Sequence, residues 1–135
     1  MKLEDHKLLQ PEVVQYVKDH IHLTAPELIL KGSPFKDIDV KTLTHQIIGK
    51  QKSRKKLPTW CANDRIIYPP KLNLEQTSSE ITALHKSKLV SGESLLDMTG
   101  GFGIDSYYFS KRIHRLFYAE INKDLYEVAK HNFEV

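Results

Sequence analysis

The chain has 135 residues, with 20 Lys+Arg against 17 Asp+Glu, a formal charge of +3 and a pI near 8.9. An apolar content of 40% beside 27% charged residues excludes collagen-like, low-complexity and wholly disordered readings. No run approaches the ~18 apolar residues of a membrane span, and Met1-Lys2-Leu3-Glu4-Asp5-His6 lacks the apolar core of a secretory signal. One cysteine, Cys61, excludes a disulfide framework and a multi-cysteine zinc site, and no metal site is expected from the scattered histidines. A cytoplasmic address is the default expectation.

Charge is unevenly spread. Residues 1–90 carry +5 and residues 91–135 carry −2, so an anionic partner is expected on the N-terminal two-thirds.

The first half reads as short helices joined by punctuated loops. Pro11 suits the first turn of a helix that places Val13, Val14 and Val17 on one side. Thr24-Ala25-Pro26-Glu27 is a capping-box pattern opening a short helix through Leu28, Ile29 and Leu30, which Gly32-Ser33-Pro34 stops. Asp39 is expected to cap a third helix bearing Val40, Leu43, Ile47 and Ile48. From Gly49 to Pro70 the periodicity fails, and the run Lys50-Gln51-Lys52-Ser53-Arg54-Lys55-Lys56 is read as an exposed loop or irregular connector. Asn73 is expected to cap a single helix reaching about Lys88.

The character then changes. Ser94 to Met98 reads as a short buried strand and Thr99-Gly100-Gly101-Phe102-Gly103 as a glycine-rich turn. Ile104 to about Arg112 reads as a helix. Leu116 to Ala119 is a second strand ending on Glu120, and Asn122 to Phe133 is a helix with Leu125, Val128 and Ala129 inward. Strand–helix–strand–helix is the unit of a parallel sheet.

Chemistry is concentrated in Asp97 through Gly103 and in Glu120. Glycines between a strand and a helix let the backbone approach a ligand closely, and the N–H groups opening the helix face that ligand. Glu120 lies 23 residues after Asp97 and 17 after Gly103, the spacing at which an acid on the next parallel strand receives ribose hydroxyls. Together these features describe a pocket for an adenosine-type cofactor. A nicotinamide site would want a third glycine where Ser106 stands, and it has no use for Asp97 at the strand end. A sulfonium amino-acid cofactor does, because its ammonium needs a carboxylate near that point.

The stretch Asp97-x-Thr99-x-Gly101-x-Gly103-x-Asp105 resembles motif I of class I S-adenosylmethionine-dependent methyltransferases, with Thr99 in place of the usual first glycine. That variant is similar to the one in small-subunit rRNA guanine methyltransferases. Leu57-Pro58-x-Trp60, Tyr68-Pro69-Pro70 and Glu75-Gln76-Thr77-Ser78-Ser79-Glu80-x-Thr82-Ala83 precede it in order. With motif I they resemble a family of bacterial methyltransferases best represented in Bacteroidetes. Full-length members of that family carry a helical N-terminal region, a class I domain and a C-terminal THUMP-like module.

The resemblance implies an α/β fold: a helical, basic region over residues 1–72, then the first β-α-β-α of a Rossmann-like domain over 73–135, cut short after its second helix. It implies S-adenosylmethionine held by Asp97, Met98, Thr99, Gly100, Gly101, Gly103, Asp105, Glu120 and Ile121, and methyl transfer to RNA (rRNA or tRNA) by in-line attack of a substrate nitrogen. The loop that faces the target base normally follows later in such domains, so no catalytic residue is assigned. Tyr68-Pro69-Pro70-Lys71 is read as a rigid turn and not as a substitute for that loop.

Gln76 and Ser79 are expected to share a helix face and line the site, by analogy with the helix that precedes motif I. Lys50, Lys52, Arg54, Lys55 and Lys56 are candidates for phosphate contacts, and Trp60 for stacking on an unpaired base, although a lone Trp beside Pro58 is more often a packing anchor. A two-stranded sheet leaves an edge and an apolar face uncovered, so the isolated chain is expected to be marginal, to self-associate, or to close the gap with its N-terminal helices. The other function class consistent with these residues is a non-catalytic RNA-binding module in which the β-α-β remnant is only a support.

Overall fold

The computed structural model describes residues 6–135. Helix α1 (Pro11–Asp19) starts on proline and buries Val13 and Val17. Helix α2 (Ala25–Lys31) opens where the Glu27 carboxylate accepts from the Thr24 N–H and hydroxyl, both at 2.7 Å, which holds its pKa below the usual carboxylate range. Gly32 ends it with φ 78°.

Helix α3 runs over Val40–Lys56, capped by Asp39 through the N–H of Lys41 at 2.8 Å. The cationic run is therefore the end of a helix and not a loop. Position along the helix explains this: Arg54, Lys55 and Lys56 occupy the last turn, where the carbonyl end of the helix dipole favours cations. Along the same helix Lys50 reaches Asp64 at 2.8 Å, Lys52 reaches Glu75 at 2.6 Å, and Lys56 donates to the carbonyls of Leu74 and Glu75. Leu57-Pro58 then closes α3 and starts α4 (Pro58–Ala62).

The expected single helix from Asn73 to Lys88 is two. Helix α5 (Lys71–Gln76) and helix α6 (Glu80–Ser87) are separated by three hydroxyl residues, Thr77, Ser78 and Ser79. Such side chains compete with the helical ladder, and Ser79 caps α6 by accepting from the N–H of Thr82 at 3.2 Å. At the start of α6, Glu80 is 8% exposed. It accepts from Thr59 N–H at 2.6 Å, Thr59 hydroxyl at 2.8 Å and Tyr108 hydroxyl at 3.2 Å, so it pins α4 to the β-α-β part.

Strand β1 (Ser94–Asp97), helix α7 (Ile104–Ser110), strand β2 (Arg115–Tyr118) and helix α8 (Lys123–Glu134, capped by Asn122) complete the chain. The strands are parallel, in the register Ser94 to Arg115 through Asp97 to Tyr118. Leu95, Asp97, Leu116 and Tyr118 turn to the half-buried side, and Leu96 and Phe117 to solvent, at 57% and 56% exposure.

One continuous core joins the two parts of the sequence. It runs from Leu8, Val13, Leu43 and Ile47 through Trp60 and Ile67 to Phe102, Ile104 and Val128. Between them lies Ile66-Ile67-Tyr68-Pro69, buried but in neither helix nor strand. Buried backbone must find hydrogen bonds, and two amide side chains supply them. Gln46 of α3 bonds Ile66 O at 2.7 Å and Tyr68 N at 3.0 Å, and Asn132 of α8 bonds Ile67 N at 3.0 Å and Ile67 O at 2.9 Å. The diproline segment is thus a clasped internal strut. Among the described residues no helix is long and apolar enough to cross a membrane.

Candidate functional site

The site is built where the two parallel strands end. The Ala119 N–H donates to Asp97 O at 2.8 Å, and the Gly100 N–H donates to Ala119 O at 2.9 Å, so the turn leaving β1 leans over the end of β2. Gly101 and Gly103 take left-handed φ values of 56° and 85°, which no other residue type adopts as readily. The bend turns the Gly101 N–H onto the Glu120 carboxylate at 2.9 Å, while the other carboxylate oxygen accepts from the Asn122 N–H at 2.8 Å. The Tyr118 hydroxyl closes the bend by donating to Gly101 O. Burial, with the charges of Glu120 and Asp97 nearby, raises the Tyr118 pKa and keeps that hydroxyl a donor.

Against this bend lies a cavity of about 430 Å³. Thr99, Gly100, Gly101, Phe102, Asp105 and Glu120 form one side, Asn73, Gln76, Thr77, Ser78 and Lys86 the other, and Asn122 and Leu125 lie at the start of α8. Its size is within the range of small-molecule sites, about 300–1,000 Å³. A smaller cavity of about 270 Å³ shares Asn73, Asn122 and Leu125 with it and is lined by His45, Gln46 and the Tyr68-Pro69-Pro70 strut.

Of the residues singled out by sequence, Thr99, Gly100, Gly101, Asp105, Glu120 and Gln76 come together on the larger cavity. Gly103 supports it from behind, its Cα facing the Phe133 ring. Asp97 does not line the cavity. Its carboxylate accepts from Ser106 Oγ at 2.5 Å and from the Thr99 N–H at 3.2 Å. Met98 and Ile121 are exposed and away from the lining. Ser79 is committed to capping α6, and Ser78 takes the place expected for it.

Ser78, Thr77, Lys86, Asn73 and Asn122 are the polar lining residues that sequence reading missed. The hydroxyl-rich run was a signal for the first two. Nothing in the spacing marks Lys86, which reaches Asp105 at 2.9 Å across 19 residues.

The nucleic-acid candidates separate. Arg54 and Lys55 are exposed at the end of α3, whereas Lys50 is 9% exposed and paired with Asp64. Lys18 and Lys50 together hold the Asp64 carboxyl below its usual range. Trp60 is 4% exposed, its ring edge-on to Tyr107 at 4.6 Å, so it is a packing anchor and not a surface for stacking. The hydrophobic core, into which Leu57 and Pro58 lead the chain, claims it.

No protein-family model matches the chain, and no curated protein matches it. A solved structure does: a protein of Porphyromonas gingivalis W83 described as a "putative methyltransferase". It superposes with a TM-score of 0.78 at 25% identity over 99% of this chain. The chain spans 33% of that protein's length. The mixed helical and parallel two-stranded fold is thus shared with that protein.

Proposed function

We propose that this chain is the cofactor-binding beginning of an S-adenosylmethionine-dependent methyltransferase that acts on RNA, with the β-α-β-α segment as the start of a Rossmann-like domain. The observation that carries the reading is the Glu120 carboxylate, fixed by two backbone N–H groups at 2.9 and 2.8 Å on the wall of the cavity. A carboxylate has about four acceptor positions. Two are used by Gly101 and Asn122, and the rest suit a pair of vicinal hydroxyls such as those of a ribose. Because the chain itself orients the group, a ligand does not have to. Likeness to the Porphyromonas protein supports the same reading.

The chain's residues fit such a cofactor by chemistry: a diol acceptor in Glu120, hydrogen-bonding side chains in Asn73, Gln76 and Ser78, and a glycine bend open to close approach. When bound, S-adenosylmethionine supplies a methyl group activated by a sulfonium centre. The chain's own contribution is to bind and orient it. The exposed cations Arg54 and Lys55 and the net charge of residues 1–90 support an RNA partner.

Isothermal calorimetry with S-adenosylhomocysteine tests the reading. The protein is expected to bind it, and Glu120→Ala to weaken binding by about tenfold or more. Absence of binding to the unmodified protein overturns the proposal and leaves an RNA-binding module.

A further inference from the structure

We propose that the smaller cavity, apart from the Glu120 site, takes an unpaired nucleobase with an exocyclic amine from a single-stranded RNA, an inference that rests on the RNA partner proposed above. The cavity lies between α3, the diproline strut and α8, and shares a wall with the larger one. At about 270 Å³ it falls just under the range of sites that hold a drug-sized ligand, about 300–1,000 Å³. It therefore suits one flat ring and not a second whole cofactor. Leu8, Ile67, Pro69, Pro70, Leu125 and Val128 give it apolar walls. Thr42 and His45 of α3 and Asp124 at the start of α8 stand among them. An unstacked base has two apolar faces to pack and one edge to hydrogen-bond, and this lining offers both.

Three observations favour a base. The wall is preformed, because Gln46 commits its amide nitrogen and oxygen to the strut at 2.7 and 3.0 Å and Asn132 bonds the strut from α8 at 3.0 and 2.9 Å. A wall already held in place lowers the ordering cost of binding. Next to Gln46, the His45 ring has no hydrogen-bond partner among the described residues, and neither has the Thr42 hydroxyl. These two groups are three apart on one helix face, so α3 holds the wall with one side chain and offers two to a ligand. Charge supplies the third observation. The Asp124 carboxylate repels a phosphate and accepts from an amine, as carboxylates do from cytosine N4. The exposed cations Lys41 and Lys123 adjoin Thr42 and Asp124 in sequence but lie outside the lining. An acidic group within and basic groups outside match a strand whose base enters while its phosphates stay in solvent. Uracil, with two carbonyls and no amine on its edge, matches this lining worst.

Fluorescence anisotropy with short oligoadenylate and oligouridylate tests the pocket in the unmodified protein, His45→Ala and Asp124→Ala. Both residues are exposed, and circular dichroism checks that the variants remain folded. The unmodified protein is expected to bind oligoadenylate about tenfold more tightly than oligouridylate. His45→Ala is expected to weaken oligoadenylate by about fivefold or more and to leave oligouridylate within about twofold. Its salt slope stays unchanged, since no phosphate contact is lost. Asp124→Ala narrows the preference between the two RNAs. No preference in the unmodified protein, or an equal loss or no loss for both RNAs in His45→Ala, overturns the proposal. Displacement of oligoadenylate by adenosine monophosphate at equal concentration makes a free nucleotide the ligand and overturns the assignment to a strand. Calorimetry with S-adenosylhomocysteine on His45→Ala is expected to match the unmodified protein within about twofold. A larger loss gives the pocket to the cofactor and overturns the proposal while the cofactor reading stands. Absence of RNA binding altogether overturns the proposal and the RNA partner with it.

Discussion

The hydroxyl of Ser106, on a residue with 0% exposure, donates a 2.5 Å hydrogen bond to the Asp97 carboxylate. Ser106 stands where a dinucleotide-binding turn would place its third glycine, and Asp97 is the acid that ends β1. Their bond ties the end of β1 to the first turn of α7, so the glycine bend is strung between two points held at one carboxylate. The Thr99 N–H, at 3.2 Å from the same group, stiffens the near side.

Removing that anchor has a measurable consequence. A hydrogen bond to a charged group contributes about 1.5–3 kcal/mol, so Ser106→Ala is expected to lower unfolding free energy by roughly that amount in urea denaturation. A loss below ~0.5 kcal/mol, the scale of an ordinary surface substitution, would show that the bond does not hold the bend.

Gly100 tests the bend from the other side. A Cβ added there would overlap the ring of Tyr118, whose hydroxyl holds Gly101 O. Gly100→Ala is expected to displace the ring, cost about 1–3 kcal/mol through overpacking, and lose S-adenosylhomocysteine binding by calorimetry. Retained binding with an unchanged melting temperature would contradict the packing described.

Alkaline titration of tyrosinate absorbance reads the same region. Burial raises the pKa of Tyr68, and burial with the charges of Glu120 and Asp97 raises that of Tyr118. Since both lie above the unfolded value of about 10, their contribution to stability is complete below about pH 10 and is lost as pH rises toward the folded values. The expected titration has a late component that Tyr68→Phe and Tyr118→Phe each reduce. Ionisation of all six tyrosines in one step near the ordinary value, with the fold retained, would refute it.

The cations of α3 divide into braces and exposed charges, and salt dependence of RNA binding distinguishes them. Fluorescence anisotropy with single-stranded RNA at several salt concentrations is expected to give a shallower slope for Arg54→Ala/Lys55→Ala. Two lost phosphate contacts lower it by about 1.4. Lys50→Ala, which breaks the pair with Asp64, is expected to leave the slope alone and to lower stability. An unchanged slope in the double variant would remove α3 as the RNA contact.

Local grammar made much of this molecule legible in sequence. Pro11, through its fixed φ, and Thr24 with Glu27, Asp39 and Asn122, through bonds made within three residues, mark helix starts, and all four begin helices here. Two short apolar runs around a glycine turn gave the β-α-β unit, with strand ends shifted by one residue. Glu120 was placed by strand spacing alone and does meet the bend.

What tertiary structure decided concerns partners distant in sequence. Lys50 to Lys56 became helix because Asp64, Glu75 and the Leu74 carbonyl, 14 to 23 residues away, receive their charges. Trp60 went inside because Tyr107 and the core were there to receive it. The wall formed by Ser78, Lys86 and Asp105 exists because Glu80, accepting from the Tyr108 hydroxyl, sets α6 against α7. A periodic pattern reports which face of an element is apolar. Which charge meets which depends on how elements pack, and that is written in no single stretch of chain.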